Sequence, residues 1–280
     1  MTSRRSFLST LAAGAALSPL AKTAFAAGKP SLGLQLYSLR RELAKDVPGT
    51  LKMIKGWGFD EVESFGDFAG AIAGPLKDAG LKVRSMHVGY DRLQKDLAGV
   101  LKEADVVGCK TILNPYLNHK QRPFASREEI LAAAKDFASW ASQCKAAGKR
   151  FGYHIHGQEF GPAPEGTLFD VLAKESGPDV GFEADVYWVT VGGADPVKLI
   201  EKYAGRIWYT HLKDMAKGVD PRSEAARGEA ARAVLATGQL DIKGIMAASA
   251  KAGVEWHILE DESADPVGNI PLSVAQYKKL

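Results

Sequence analysis

Histidines and acids recur at a spacing of two along this 280-residue chain. His154 pairs with His156, Glu183 with Asp185 and His211 with Lys213, each within a short apolar or aromatic run, and Glu260 closes a fourth such run. In an extended strand a period of two puts both members of a pair on one face. A Glu, an Asp and a His converging from neighbouring strands form a mixed oxygen and nitrogen set. Such a set suits one divalent ion, Mn, Co, Zn or Fe, with open positions for substrate oxygens. Calcium would need more oxygens. Two imidazoles on one inward face are costly to bury without partners, which favours a functional reading of His154 and His156. Glu63 and His87 end two earlier runs and are candidate substrate contacts, as is the flat apolar face of Trp188. Lys213 is placed to pair with Asp185 or Asp214, or to reach a substrate carbonyl. His119 and His257 read as structural or surface residues.

These residues need elements to position them. From residue 32 onward short apolar runs alternate with longer segments of helical period, the pattern of βα units. Strands are expected over 32–38, 61–65, 83–88, 110–114, 151–156, 180–185, 207–213 and 256–260. Helices are expected over 48–57, 68–79, 92–107, 127–147, 167–174, 196–203, 242–252 and 266–279. Gly58, Gly80, Gly108, Gly148 and Gly253 follow helices where a left-handed cap is useful. Eight units in about 250 residues, with no Pro- or Ser-rich linker, predict a single closed (β/α)8 TIM barrel spanning 27–280. In that fold chemistry gathers at the C-terminal strand ends, where the pairs above fall. The charged, Ala-rich segment 216–240 breaks the rhythm and is expected to be a mobile flap over the seventh strand.

The first 26 residues read differently. Arg4-Arg5, an apolar stretch over 8–21 and small residues at Ala24 and Ala26 make up a cleavable secretory signal of the twin-arginine type, cut after Ala26. The stretch is short for a membrane span and contains Ser9, Thr10, Ser18 and Pro19. The expected location is therefore the periplasm, reached through the twin-arginine export machinery, with no stable membrane anchor. Removing this segment takes Arg4, Arg5 and Lys22 from 36 cations and nothing from 33 acids, leaving the two equal. A balanced surface excludes a nucleic-acid partner, which needs a concentrated basic face. With 46% hydrophobic and 25% charged residues the chain is an ordinary globular one. Cys109 and Cys144 read as buried free thiols. Homo-oligomerisation stays open.

The segments Tyr153-His-Ile-His156-Gly-Gln-Glu159-Phe160, Phe182-Glu-Ala-Asp185-Val-Tyr-Trp188 with Gly192-Gly-Ala-Asp-Pro196, His211-Leu-Lys213-Asp214-Met215 and Ile258-Leu-Glu260 resemble, in order, the xylose isomerase-like sugar isomerase/epimerase family. The resemblance implies a TIM barrel whose divalent metal is held from strands five to eight. Position by position, it implies Asp185, His211 and Glu260 as ligands. Many relatives place a glutamate on strand five where this chain has His154, so Glu159 in the following loop is expected to turn back as the fourth ligand, with His154 and His156 as the other candidates. The most similar subgroup reads His-Asn-His-Asp-Phe-Glu-Phe, against Ile155, Gly157 and Gln158 here, which puts substrate contacts in question. The implied activity is metal-dependent proton abstraction beside a sugar carbonyl; export and the lack of a Gly-rich or multi-Arg phosphate cradle make an unphosphorylated keto sugar the expected substrate. Glu260 would be ligand and base, His154 or His156 the partner acid, and Glu63, His87, Trp188 and Lys213 substrate contacts. The alternatives are a lyase or dehydratase acting on oxidised glycosides and a non-catalytic periplasmic sugar-binding barrel. Relatives that cut DNA use a richer ligand set than this chain offers.

Overall fold

The computed structural model describes residues 30–66, 69–117 and 124–280. The expected signal segment and His119 lie outside these residues. Eight parallel strands close into a barrel: β1 (Ser31–Gln35), β2 (Glu61–Phe65), β3 (Lys82–His87), β4 (Thr111–Asn114), β5 (Arg150–Ile155), β6 (Val180–Asp185), β7 (Ile207–Leu212) and β8 (Trp256–Leu259). They pair in chain order, and β1 meets both β2 and β8. Each is followed by its helix: α1 (Val47–Gly56), α2 (Ala73–Ala79), α3 (Tyr90–Val106), α4 (Arg127–Ala146), α5 (Leu168–Glu175), α6 (Pro196–Lys202), α7 (Ile242–Ala252) and α8 (Pro266–Lys279). This is the single (β/α)8 barrel that the alternation of runs predicts. Among the described residues no helix is long and apolar enough to cross a membrane.

Local chemistry sets the joins. Asp46 caps α1, and Ser126 with Glu129 and Thr167 with Asp170 close capping boxes on α4 and α5, so orphan N–H groups of the first turns are satisfied. The five glycines expected as helix caps all have positive φ, between 69° and 96°. Strand one stops earlier than expected. Gln35 turns its Oε1 onto the N–H of Tyr37 at 3.0 Å, which starts a 3-10 turn over Leu36–Leu39.

Outward strand residues such as Leu34, Val62, Ile112, Phe151 and Phe182 join the helices in one core. The lower interior of the barrel is filled by Leu113, Tyr209, Trp256 and Ile258. Gly33 makes room for this plug, since a Cβ there would lie 1.8 Å from the Trp256 ring. Both cysteines are buried and free, as expected, and burial pushes each thiol up to about 12.

The segment 216–240 is fastened down, which corrects the expectation of a loose flap. Asp214–Met215 pairs with Arg232–Ala233. The Asp214 carboxylate accepts the N–H groups of Met215, Gly238 and Leu240 at 2.8, 2.8 and 3.1 Å. Tyr187 donates its hydroxyl to the Ala226 carbonyl at 2.6 Å.

Candidate active site

Strand register stacks the polar residues in two tiers. His154 stands opposite Glu183, and one step higher Asp185 stands opposite His211. The inner tier holds Glu63, His87, His154 and Glu183, all buried. Its focus is one carboxylate oxygen: Glu183 Oε2 lies 2.6 Å from His154 Nδ1, 2.8 Å from His87 Nε2 and 3.2 Å from His211 Nε2. Glu63 supports the same rings, 3.1 Å from His87 and 2.7 Å from His211, and is itself held by Gln35 at 2.7 Å and by the Ser85 hydroxyl.

The outer tier holds Asp185, Glu260 and Lys213. Asp185 divides its carboxylate. Oδ1 accepts the N–H groups of Tyr187 and Trp188 at 3.0 and 3.1 Å, capping the short helix Val186–Val191. Oδ2 faces Lys213 Nζ at 2.9 Å and His154 Nε2 at 3.7 Å. Glu260 Oε2 lies 2.8 Å from His211 Nδ1 and 2.7 Å from Lys213, whose ammonium also reaches Glu262 at 2.8 Å. Lys213 thus pairs with Asp185, not with Asp214. Asp185, His211 and Glu260 each offer a ligand atom within 4.8 Å of the others. Two carboxylates and an imidazole, all buried on rigid strand ends, fit a divalent ion of intermediate softness.

Glu159 does not join them. Gly157, at φ 90°, packs so close to the Trp188 carbonyl that a Cβ would lie 2.5 Å from it. The 3-10 turn over Gln158–Phe160 then folds Glu159 onto the Tyr153 hydroxyl. Tyr153 is one residue from His154 and so points out of the barrel, into the helix-facing core. The expected fourth ligand is therefore a buried support of the β5 loop.

Burial and mutual charge set the protonation of the site. Burial works against charge on His87 and His211, but Glu63 and Glu183 override it, lifting His87 to about 9 and His211 well above its usual range. Burial, with His211 and its neighbours, drives His154 well below the normal imidazole value, and burial with Lys213 takes His156 to about 3. Glu183 is raised, by burial and by the charge on Glu63, and Asp185 is raised by burial. Burial would raise Glu260, but Lys213 and His211 hold it well below the carboxylate range.

Above the outer tier opens a cavity of about 260 Å³, lined by Tyr37, Phe65, Tyr116, His156, Lys213 and Glu260 among others. Tyr116 stacks on His156 with ring centres 4.9 Å apart. His87 and Lys213 reach the cavity, whereas Glu63 sits beneath it, fully buried and saturated by its four partners. Trp188 stands behind the wall, 5.9 Å from His156 and from Lys213. His257 is a buried structural residue paired with Thr210 at 2.5 Å. A larger cavity of about 650 Å³ opens at the N-terminal strand ends, but its arginines are already engaged: Arg150 with Glu255 at 2.7 Å and Arg84 with Glu61 at 3.0 Å. It gathers no converging ligands.

No family model matches the chain, and no curated protein does. Solved structures do. The structural neighbours are xylose isomerase-like barrels. A sugar phosphate isomerase/epimerase from Parabacteroides distasonis superposes with a TM-score of 0.72 at 24% identity, covering 90% of this chain and 98% of the neighbour. A probable 3-DHS dehydratase involved in petrobactin synthesis in Bacillus anthracis gives 0.72 at 13% identity, covering 89% and 98%. The IOLI protein, solved with a bound zinc atom, gives 0.67 at 13% identity, covering 89% and 96%. At such identities the likeness establishes the fold, and function must come from the site itself.

Four residues carry more of the site than their sequence signals suggest. Glu183 was visible as the inward partner of Asp185 two positions earlier, and Gln35 as the polar end of strand one. Glu262 repeats the same spacing after Glu260. Tyr116, beyond strand four, gives no sequence signal.

Proposed function

We propose that this chain is a divalent-metal-dependent isomerase or epimerase of a small, unphosphorylated keto sugar. The observation that carries this reading is the placement of Asp185, His211 and Glu260, from adjacent strands, beneath a small aromatic-walled cavity into which His156 projects. An ion held by those three residues would supply the positive charge that stabilises an enediolate.

The protein side of the reaction follows from the residues. Tyr37, Phe65 and Tyr116 cover the apolar faces of a sugar, and a cavity of about 260 Å³ admits little more than one ring. The lysine that reaches the cavity is already matched by Asp185, Glu260 and Glu262, which disfavours a phosphate group. His156 lines the cavity as a neutral imidazole and is the ring placed to take a proton from the sugar carbon. Glu260 is engaged elsewhere, because His211 and Lys213 both occupy its Oε2. The sequence expectation gave the base to Glu260 and the acid to His154 or His156; here His156 takes the base's part. Lys213 is the charged donor facing the cavity. The proton then returns to the neighbouring carbon, giving isomerisation, or to the opposite face, giving epimerisation.

A second reading is elimination from an oxidised glycoside. It is favoured by the rim at Tyr116, 57% exposed, which leaves room for a leaving group outside the cavity. One experiment separates the readings: zinc- or cobalt-loaded protein incubated with keto sugars and 3-keto glycosides in D₂O. The expected result is deuterium at the carbon beside the carbonyl, lowered about 100-fold or more in His156→Ala. Release of the aglycone with an unsaturated sugar would replace isomerisation by elimination. Tight binding with no exchange would leave a sugar-binding barrel.

A further inference from the structure

The inner tier is more than a support for the outer one. We propose that His87, His154, His211 and Glu183 form a second divalent-cation site, deeper in the barrel and richer in nitrogen than the one assigned to Asp185, His211 and Glu260. Three imidazole nitrogens from β3, β5 and β7 converge on a single point, marked by Glu183 Oε2 at 2.6, 2.8 and 3.2 Å. The four donor atoms lie within 4.8 Å of one another. Donors around a four-coordinate zinc stand about 3.4 Å apart, given bonds of about 2.1 Å, so a small outward shift of the carboxylate opens the place for an ion.

Two independent observations point to a cation there. Glu183 Oε1 is buried and has no hydrogen-bond partner, a coordination-ready oxygen that an apolar interior would not leave bare. The three rings are also packed face and edge, with centres 4.5 to 5.5 Å apart, around two carboxylates in a fully buried tier. Glu63, held by Gln35, faces His211 Nε2 and His87 Nε2 at 2.7 and 3.1 Å, and those two nitrogens would turn from it to the ion. His211 shows Nε2 to the inner tier and Nδ1 to Glu260, so one ring joins the two sites. The donor set, three nitrogens and one oxygen, selects zinc or cobalt over manganese or magnesium. The outer set has more oxygen and faces the cavity.

The inner site goes beyond the reaction proposed above and shares only His211 with its metal. Metal-free protein is titrated with Co²⁺ while the visible spectrum and the bound metal per chain are recorded, for wild type, Asp185→Asn, His87→Ala and Glu183→Gln. The expected result is two equivalents in wild type and one in each variant, with the intense visible bands of a four-coordinate ion kept by Asp185→Asn and lost in His87→Ala and Glu183→Gln. One equivalent in wild type, kept by His87→Ala and lost by Asp185→Asn, overturns the inner site and leaves the outer reading standing. The reverse pattern supports the inner site and removes the outer one. One equivalent lost in every variant means a single shared ion and overturns the inner site, and no binding anywhere overturns both. If the variants do not fold, the wild-type spectrum decides: faint bands alone overturn the proposal.

Discussion

A lysine buried to 3% exposure against three carboxylates is the residue on which the metal-free site depends. Removing one partner of a buried ionic cluster leaves uncompensated charge. Lys213→Met should therefore cost about 3–5 kcal/mol of stability in metal-free protein. Zinc should return part of that loss, because the ion replaces the missing cation between Asp185 and Glu260. Denaturant melts with chelator and with zinc check this, and a variant as stable as wild type under chelator would contradict it. At this scale most of the site was legible, because strand period alone puts Glu183 with Asp185, His154 with His156 and His211 with Lys213. Glu159 was misread because its direction is set by the left-handed turn at Gly157, and a loop has no period from which to read it. Glu63 is on the correct face, but the sequence gives no depth, and depth separates a substrate contact from a support.

Among the elements, the segment after β7 shows why a charged, irregular stretch resists reading. Its anchors are backbone groups gathered by one aspartate, and no side-chain pattern announces them. Asp214→Ala would leave the N–H groups of Met215, Gly238 and Leu240 without their acceptor and should cost about 3 kcal/mol. Asp214→Asn should cost less, because its amide oxygen can still accept the N–H groups of Met215 and Leu240 that share Oδ1, while its NH2 group cannot accept from Gly238. Equal losses in the two variants, measured by thermal melts, would show that charge and not acceptance is what matters. The barrel strands and helices were readable because each repeats one grammar: apolar run, glycine-capped helix, next run. The exception at residues 36–39 arises because a single side chain, Gln35, satisfies a backbone N–H outside any ladder.

For the whole molecule, the leading residues carry an expectation that the described fold does not touch. We propose export by the twin-arginine route with cleavage after Ala26. Mass spectrometry of protein from the periplasmic fraction should find a chain beginning at Ala27, and Arg4→Lys with Arg5→Lys should hold the uncleaved chain in the cytoplasm. A chain that keeps Met1 in both would remove the proposal.

The plug of Leu113, Tyr209, Trp256 and Ile258 gives the molecule a closed floor. Among the described residues, the way into and out of the cavity is the rim between Tyr37, Phe65 and Tyr116. For the isomerase proposed above, substrate and product would share that doorway. Accumulated product should therefore compete directly with substrate, raising the apparent KM and leaving kcat unchanged.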